Sequence, residues 1–309
     1  MKEVAAGITL TGVLFIVSVF FPVFGFIAAL FIPLPVLYYR LKLGRAIGAW
    51  IPIVSGILMT FVLGDEIFSI LFFFELLVLG FLLGEAMAAG YPMEWIFAIP
   101  AAILFGFGIL VITITARAAG MGIGPWLSDY VEQNLKLTLS LYEALGVTEN
   151  SIRLLTEQLD KIRMVLVRIL PGIAISSVLF TIWVNLLAAR RILAVKQVML
   201  PVFDGLNRWR APEALVWGVI ASGMGLMIPV GFLKILCLNA LLVFLCVYFF
   251  QGMAIIAFFF EKKKLPRGFR TMLYILILLQ QALLLVVVGI GFFDVWVNFR
   301  KLGNDEGAG

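Results

Sequence analysis

The chain has 309 residues, of which 63% are hydrophobic and 13% are charged, and its mean hydropathy is +1.13. This composition excludes a water-soluble globular protein, whose surface would need far more charge. The formal net charge of +5 does not indicate nucleic-acid binding, because the basic residues flank apolar runs, where they attract anionic lipid headgroups. We therefore expect the lipid bilayer to be the first partner of this chain.

Apolar runs predict an all-α fold, a polytopic transmembrane helix bundle of about eight or nine spans, since one span takes roughly 20 residues. The first run, 4–39, is interrupted near Phe21–Pro22, and we divide it into two helices, although one broken span fits its pattern as well. The later spans are predicted at about 47–63, 67–88, 95–116, 165–189, 214–230, 236–260 and 271–297.

Three basic clusters lie between these spans, at 40–45, 190–210 and 262–270. Short loops rich in Lys and Arg stay on the cytoplasmic side, so all three loops are predicted to be cytoplasmic. The pattern predicts a multi-pass protein of the bacterial cell (inner) membrane. With an even number of spans between the clusters, the last span would carry the C-terminal tail to the outside.

The long polar segment 118–163 is predicted to be external. Apolar residues recur at helical spacing from Trp126 to Leu145, Gly146 is a helix stop, and Thr148 begins a second helix. These features predict an amphipathic helical hairpin that divides the chain into 1–117, 118–163 and 164–309. The hairpin could lie on the membrane surface or cover the bundle.

Polar side chains at membrane depth are the candidates for function, because each is costly there without a partner. Glu75 is the clearest, since it lies in the middle of a span with no cation within one turn. Speculative ligand-binding residues are Glu75, Asn185, Asn239, Gln251, Gln280 and Gln281. Each amide could instead only join helices. Convergence of Gln251 and Gln280 with Glu75 would favour a ligand cavity.

Lys234, Asp294 and Arg300 are predicted near external helix ends, where Asp294 could pair with Arg300 or Lys234. Glu85 is predicted to anchor the cytoplasmic end of its span. The chain has no histidine and no clustered cysteines, so we expect no metal, no cofactor and no enzymatic activity.

Several segments, in their order along the chain, resemble those of a known protein family. They are Pro33-Leu34-Pro35-Val36-Leu37 before a basic turn, Trp183-Val184-Asn185-Leu186, the stretch from Leu206 to Pro212, Asn239 to Gly252, and Gly291 to Arg300. In this order the chain resembles the YybS-like predicted membrane proteins of bacteria, a family of unknown function. That family is similar in fold to the substrate-binding components of energy-coupling-factor transporters, which usually have six helices and pair with a separate ATPase.

The resemblance implies a small-molecule solute and a separate ATPase subunit, but it carries over no site residues. We therefore expect binding or transport of a small solute. The alternative is a scaffold for envelope or cell-division assembly, in which the polar residues only hold the bundle together and glycine-rich helices contact envelope-assembly subunits.

Overall fold

The computed structural model describes residues 1–64, 66–195 and 207–300. These residues form α-helices and no strand, so the all-α prediction is confirmed. The helices are α1 (Lys2–Phe20), α2 (Pro22–Leu30), α3 (Pro33–Gly48), α4 (Trp50–Leu63), α5 (Ile67–Ala88), α6 (Met93–Ala118), α7 (Ile123–Ala144), α8 (Glu149–Glu157), α9 (Leu159–Val195), α10 (Ala214–Met227), α11 (Gly231–Lys262), α12 (Arg267–Leu279) and α13 (Gln281–Val297).

Six helices within the described part of the chain are long and apolar enough to cross a membrane, and α12 with α13 could make a seventh. The sequence had predicted about eight or nine spans. The difference arises because α4 and α10 have 14 residues each. At 1.5 Å per residue such a helix is about 21 Å long, which is short of a hydrocarbon core of about 30 Å.

Proline positions divide the N-terminal run. Helix α1 ends at Phe20, Phe21 is extended, and Pro22 begins α2. A proline is well tolerated in the first turn of a helix, where its missing N–H has no helical partner anyway. The segments Lys2–Phe20 and Phe24–Gly48 each pass the length test for a span, in agreement with the division into two helices.

The described chain divides into two compact units. The first comprises Met1–Leu104, Ser177–Glu213 and the residues from Cys246 onward, and the second comprises Phe105–Ser176 and Ala214–Leu245. In the first unit, helices α1 to α5 enclose an apolar core. Its buried side chains include Phe15, Ile32, Val36, Ile51, Met59, Phe73 and Leu77.

The cluster Arg40, Lys42 and Arg45 lies at a sharp turn of the chain within the α3 range. Gly44, with φ of 82° and ψ of 175°, interrupts the helical geometry between Lys42 and Arg45, and a Cβ added at Gly48 would come within 2.8 Å of the Arg40 Cα. The cations beside this turn have partners. The Arg40 guanidinium donates to Glu85, and the Lys42 ammonium lies 2.8 Å from a Glu3 carboxylate oxygen.

The second unit contains the predicted hairpin. Helix α7 ends at Ala144, Gly146 follows with φ of 75°, and α8 and α9 lead back into the bundle. Glu132 joins the two arms, since it pairs with Lys136 on α7 and with Arg163 on α9. Lys136 and Arg163 hold the pKa of the Glu132 carboxyl below its usual value.

Glycines allow α11 and α13 to touch through their backbones. A Cβ added at Gly291 would overlap the Tyr248 carbonyl oxygen, and one at Gly252 would overlap the Val287 carbonyl oxygen. Small residues at such crossings are characteristic of helix pairs in membranes, where close backbone approach replaces the hydrophobic effect. The crossing of α11 and α13 therefore depends on these two glycines.

We expect Gly291→Ala to lower the thermal unfolding temperature of the detergent-solubilised protein by several degrees, because overpacking costs about 1–3 kcal/mol. Gly289→Ala is the matched control, since a Cβ at Gly289 meets no atom within 4 Å. Circular dichroism during heating measures both. Equal stability of the two variants would contradict the close crossing.

Candidate functional site

Glu75 lies in the middle of α5, at the edge of the buried face of that helix. Leu79 lies about 40° from Glu75 around the helix and is buried, as Leu76 is. The Glu75 side chain is only partly exposed. It forms no hydrogen bond or ion pair with any residue that the structure describes.

Other acidic groups in the candidate spans are partnered or lie at helix ends. Glu85 accepts a hydrogen bond from Arg40, and one of its oxygens lies 3.7 Å from the Arg45 guanidinium. Glu94 is exposed in the first turn of α6. Glu75 is therefore the mid-span carboxylate without a partner in the described part of the chain.

Gln251, Asp294 and Arg300 form a buried polar network in the first unit. The Asp294 and Arg300 side chains are both fully buried, and they pair at 2.9 Å. Gln251 donates from its amide to Asp294 at 3.2 Å and accepts from the Ala211 backbone N–H at 3.0 Å. The second Asp294 oxygen accepts from the Phe299 backbone N–H at 2.9 Å. The carboxylate is thus held by three donors.

Arg300 extends this network to the segment before α10. Its guanidinium donates to the carbonyl oxygens of Asn207 and Trp209, each at 2.9 Å. Burial lowers the pKa of Arg300, and the adjacent Asp294 carboxylate opposes that shift.

An aromatic cluster lies beside the network. The Trp209 ring stacks on Phe97 with centroids 6.2 Å apart, and Phe250 contacts Phe97 and stacks on Trp183 at 5.1 Å. Three buried polar atoms here have no partner within the described residues: Trp209 Nε1, Tyr248 Oη and Arg300 Nε. The sequence prediction did not include Trp209. Its backbone carbonyl accepts a hydrogen bond from Arg300, 91 positions further along the chain, and no local pattern indicates that contact.

Asn239 forms hydrogen bonds with two backbone groups of α9 beside Pro171. Pro171 lies within α9, and next to it the Asn239 amide accepts from the Gly172 N–H at 2.5 Å and donates to the Arg168 carbonyl at 2.7 Å. In a regular α-helix those two backbone groups would bond to each other. Asn239 therefore replaces a helical hydrogen bond, which gives it a structural use within the second unit.

Asn185 also bonds to backbone. Its side-chain nitrogen donates to the carbonyl oxygens of Leu30 and Thr181, each at 2.8 Å. Its Oδ1 is buried without a partner among the described residues. Asn185 thus joins α9 to the end of α2 and keeps one free acceptor.

Gln280 and Gln281 lie at the bend between α12 and α13, where both are exposed. No hydrogen bond joins Gln251 to Gln280 or to Glu75 in the part of the chain that is described. The described hydrogen bonds therefore do not join the three side chains whose convergence would have favoured a ligand cavity. Lys234 is exposed in the first turn of α11 and forms no ion pair with a described residue.

Two sequence predictions about membrane sides are incompatible. Residues 190–210 were placed in the cytoplasm and Arg300 outside, yet Arg300 contacts Asn207 and Trp209 directly. The physical reason is the bend of 103° between α12 and α13, so 267–297 does not cross as one straight span. Residues 196–206 of the second basic cluster lie outside the described residues.

We expect Asp294→Leu and Arg300→Met each to lower the free energy of unfolding by about 3–5 kcal/mol, because each leaves a buried polar partner uncompensated. The double variant Asp294→Leu/Arg300→Met should lose much less than the sum. Unfolding of the purified protein in mixed micelles measures the cycle. Glu132 and Arg163 provide a control pair with partly exposed side chains, for which we expect a much smaller coupling because solvent screens their charges. Additive single effects at 294 and 300 would contradict the network.

Comparison with known protein families identifies the family to which this chain belongs. The model of the family described as "Predicted membrane protein (DUF2232)" matches residues 9–295, which is nearly the whole chain. No match was found among curated proteins, and none among solved structures. The span-length helices agree with that description. The chain belongs to the DUF2232 family of predicted membrane proteins.

Proposed function

We propose that this membrane protein binds a small solute and takes part in its transport, with Glu75 as the group that meets the solute or a coupled proton. The observation that supports the proposal is the unpartnered carboxyl of Glu75 in the middle of α5. An ionisable group at membrane depth is costly and commonly marks a solute or proton pathway. Its negative charge favours a solute with a cationic group, or a proton that travels with the solute.

We also propose a location and a partner for the protein. We place the protein in the bacterial cell membrane, with the clusters at 190–210 and 262–270 in the cytoplasm and the hairpin outside. The likeness to YybS-like proteins and to energy-coupling-factor components adds a separate ATPase subunit to the proposal. Such components usually have six helices, and the described part of this chain has six helices of span length, or seven if α12 and α13 make one span.

A scaffold is the second candidate, and a specific observation favours it. Asn185, Asn239 and Gln251 are all engaged in hydrogen bonds within the bundle, as expected if polar residues only join helices. Of the glycines of α10, Gly218 faces Phe244 and Gly225 faces Cys237, whereas a Cβ added at Gly223 meets no atom within 4 Å. Gly223 is therefore the α10 glycine that an assembly partner would contact.

Glu75→Gln separates the two functions. We expect native mass spectrometry of the wild-type protein, extracted gently from its own membrane, to detect a retained small molecule. A hydrogen bond to a charged group is worth about 1.5–3 kcal/mol, so occupancy should fall by about tenfold or more in Glu75→Gln. The neutral variant keeps the shape of the side chain and removes its charge.

Glu94→Gln is the matched control, because Glu94 is exposed at the start of α6 and should keep the molecule. Retention of the same molecule by Glu75→Gln would contradict the role of Glu75. A wild-type protein that carries no small molecule but copurifies with envelope or cell-division subunits would support the scaffold instead.

A further inference from the structure

The tertiary structure brings together two basic clusters that are far apart in sequence. The Asn207 amide donates to the Glu261 carboxylate, across 54 positions of the chain. Arg208 therefore adjoins the turn that begins with Lys262. Five exposed cations belong to this region of the first unit: Arg208, Lys262, Lys263, Lys264 and Arg267. We call them the cationic patch.

The positive charge of the cationic patch is not balanced within the described part of the chain. None of its five members forms an ion pair there. Glu261 is the one acidic residue of the sequence from 251 to 293, and it is already bonded to Asn207. The first basic cluster differs, because Glu3 and Glu85 neutralise its cations internally. The cationic patch is therefore available to an external anion.

Helix α12, which follows the patch, has the form of an interfacial helix. It has 13 residues, so it is about 20 Å long and too short to span a bilayer. It meets α13 at 103°, so the two helices cannot both be perpendicular to the membrane. Cations at one end of such a helix and an apolar stripe along it are typical of helices that lie in the membrane interface.

A stripe of exposed apolar residues runs along α12, beside Ile275 and Leu278, which are exposed as well. Its residues recur at intervals of three and four, which places them on one face. They are Phe269, Met272, Leu276 and Leu279, with exposed fractions of 44%, 54%, 49% and 79%. On another side Ile277 is buried, and Arg270 bonds to the Leu265 carbonyl at 2.7 Å. The helix is thus fixed to the protein on one side and open on the other.

We propose that the cationic patch and the stripe of α12 together form a docking site for an anionic phospholipid. The headgroup phosphate binds among the five cations, and the acyl chains pack along Phe269, Met272, Leu276 and Leu279. Charge complementarity selects the anionic lipid, since a zwitterionic headgroup carries no net charge to balance the patch. This site is independent of Glu75 and of any transported solute.

The test uses native mass spectrometry of the full-length protein equilibrated with equal amounts of phosphatidylglycerol and phosphatidylcholine. We expect the wild-type protein to retain phosphatidylglycerol preferentially. Lys262→Gln/Lys263→Gln/Lys264→Gln should reduce that preference by about tenfold or more, given the contribution of each cation near a membrane surface. Met272→Asp should weaken retention of both lipids, because it places a charge within the acyl contact.

Arg117→Gln/Arg153→Gln/Lys161→Gln is the matched control, because it removes the same charge at exposed positions of the second unit and should keep the preference. The wild-type protein provides a test that needs no variant, since added sodium chloride should abolish the preference. Equal retention of both lipids by the wild-type protein, or an unchanged preference in the triple lysine variant, would overturn the proposal. Displacement of phosphatidylglycerol by inorganic phosphate at equal concentration would also overturn it, since the site would then bind phosphate without acyl contacts.

Discussion

A polar group inside a bilayer has no water to bond with, so it must find its partner within the protein. The described bundle satisfies this constraint with a small number of side chains that bond to backbone. Asn239 bridges the Gly172 N–H and the Arg168 carbonyl beside Pro171, and Arg300 bonds to the carbonyls of Asn207 and Trp209. Three of the six residues predicted to bind a ligand, Asn185, Asn239 and Gln251, thus form hydrogen bonds with backbone groups.

Glycine placement follows from the same lack of water. Without a hydrophobic driving force between helices, association depends on close packing. Gly252 and Gly291 let α11 and α13 meet through their backbones, while Gly84 makes room for Arg40. The Arg40 contact also allows the Glu85 ion pair, so a glycine on α5 and a charge on α3 act together.

The charged side chains of the described residues divide into those that form ion pairs within the protein and those that do not. The first basic cluster and the Asp294–Arg300 pair are balanced internally. Glu75 and the cationic patch are not balanced by any described residue, and they carry opposite signs. These two features support the two proposals, one for a solute or proton at Glu75 and one for an anionic lipid at α12.

The sequence by itself determined the helical class, the membrane environment, the break before Pro22, the hairpin and the candidate polar residues, because hydropathy and proline positions are local properties. It could not determine which polar residues are occupied. Asp294 and Arg300 are six residues apart and could be paired by inspection, but Gln251, Ala211 and Asn207 join them across the fold. Only the tertiary structure decided that α4 and α10 are too short to span, that α12 and α13 are bent apart, and that residues 207 and 261 meet. These features depend on contacts between distant segments, and a local pattern of residues holds no information about such contacts.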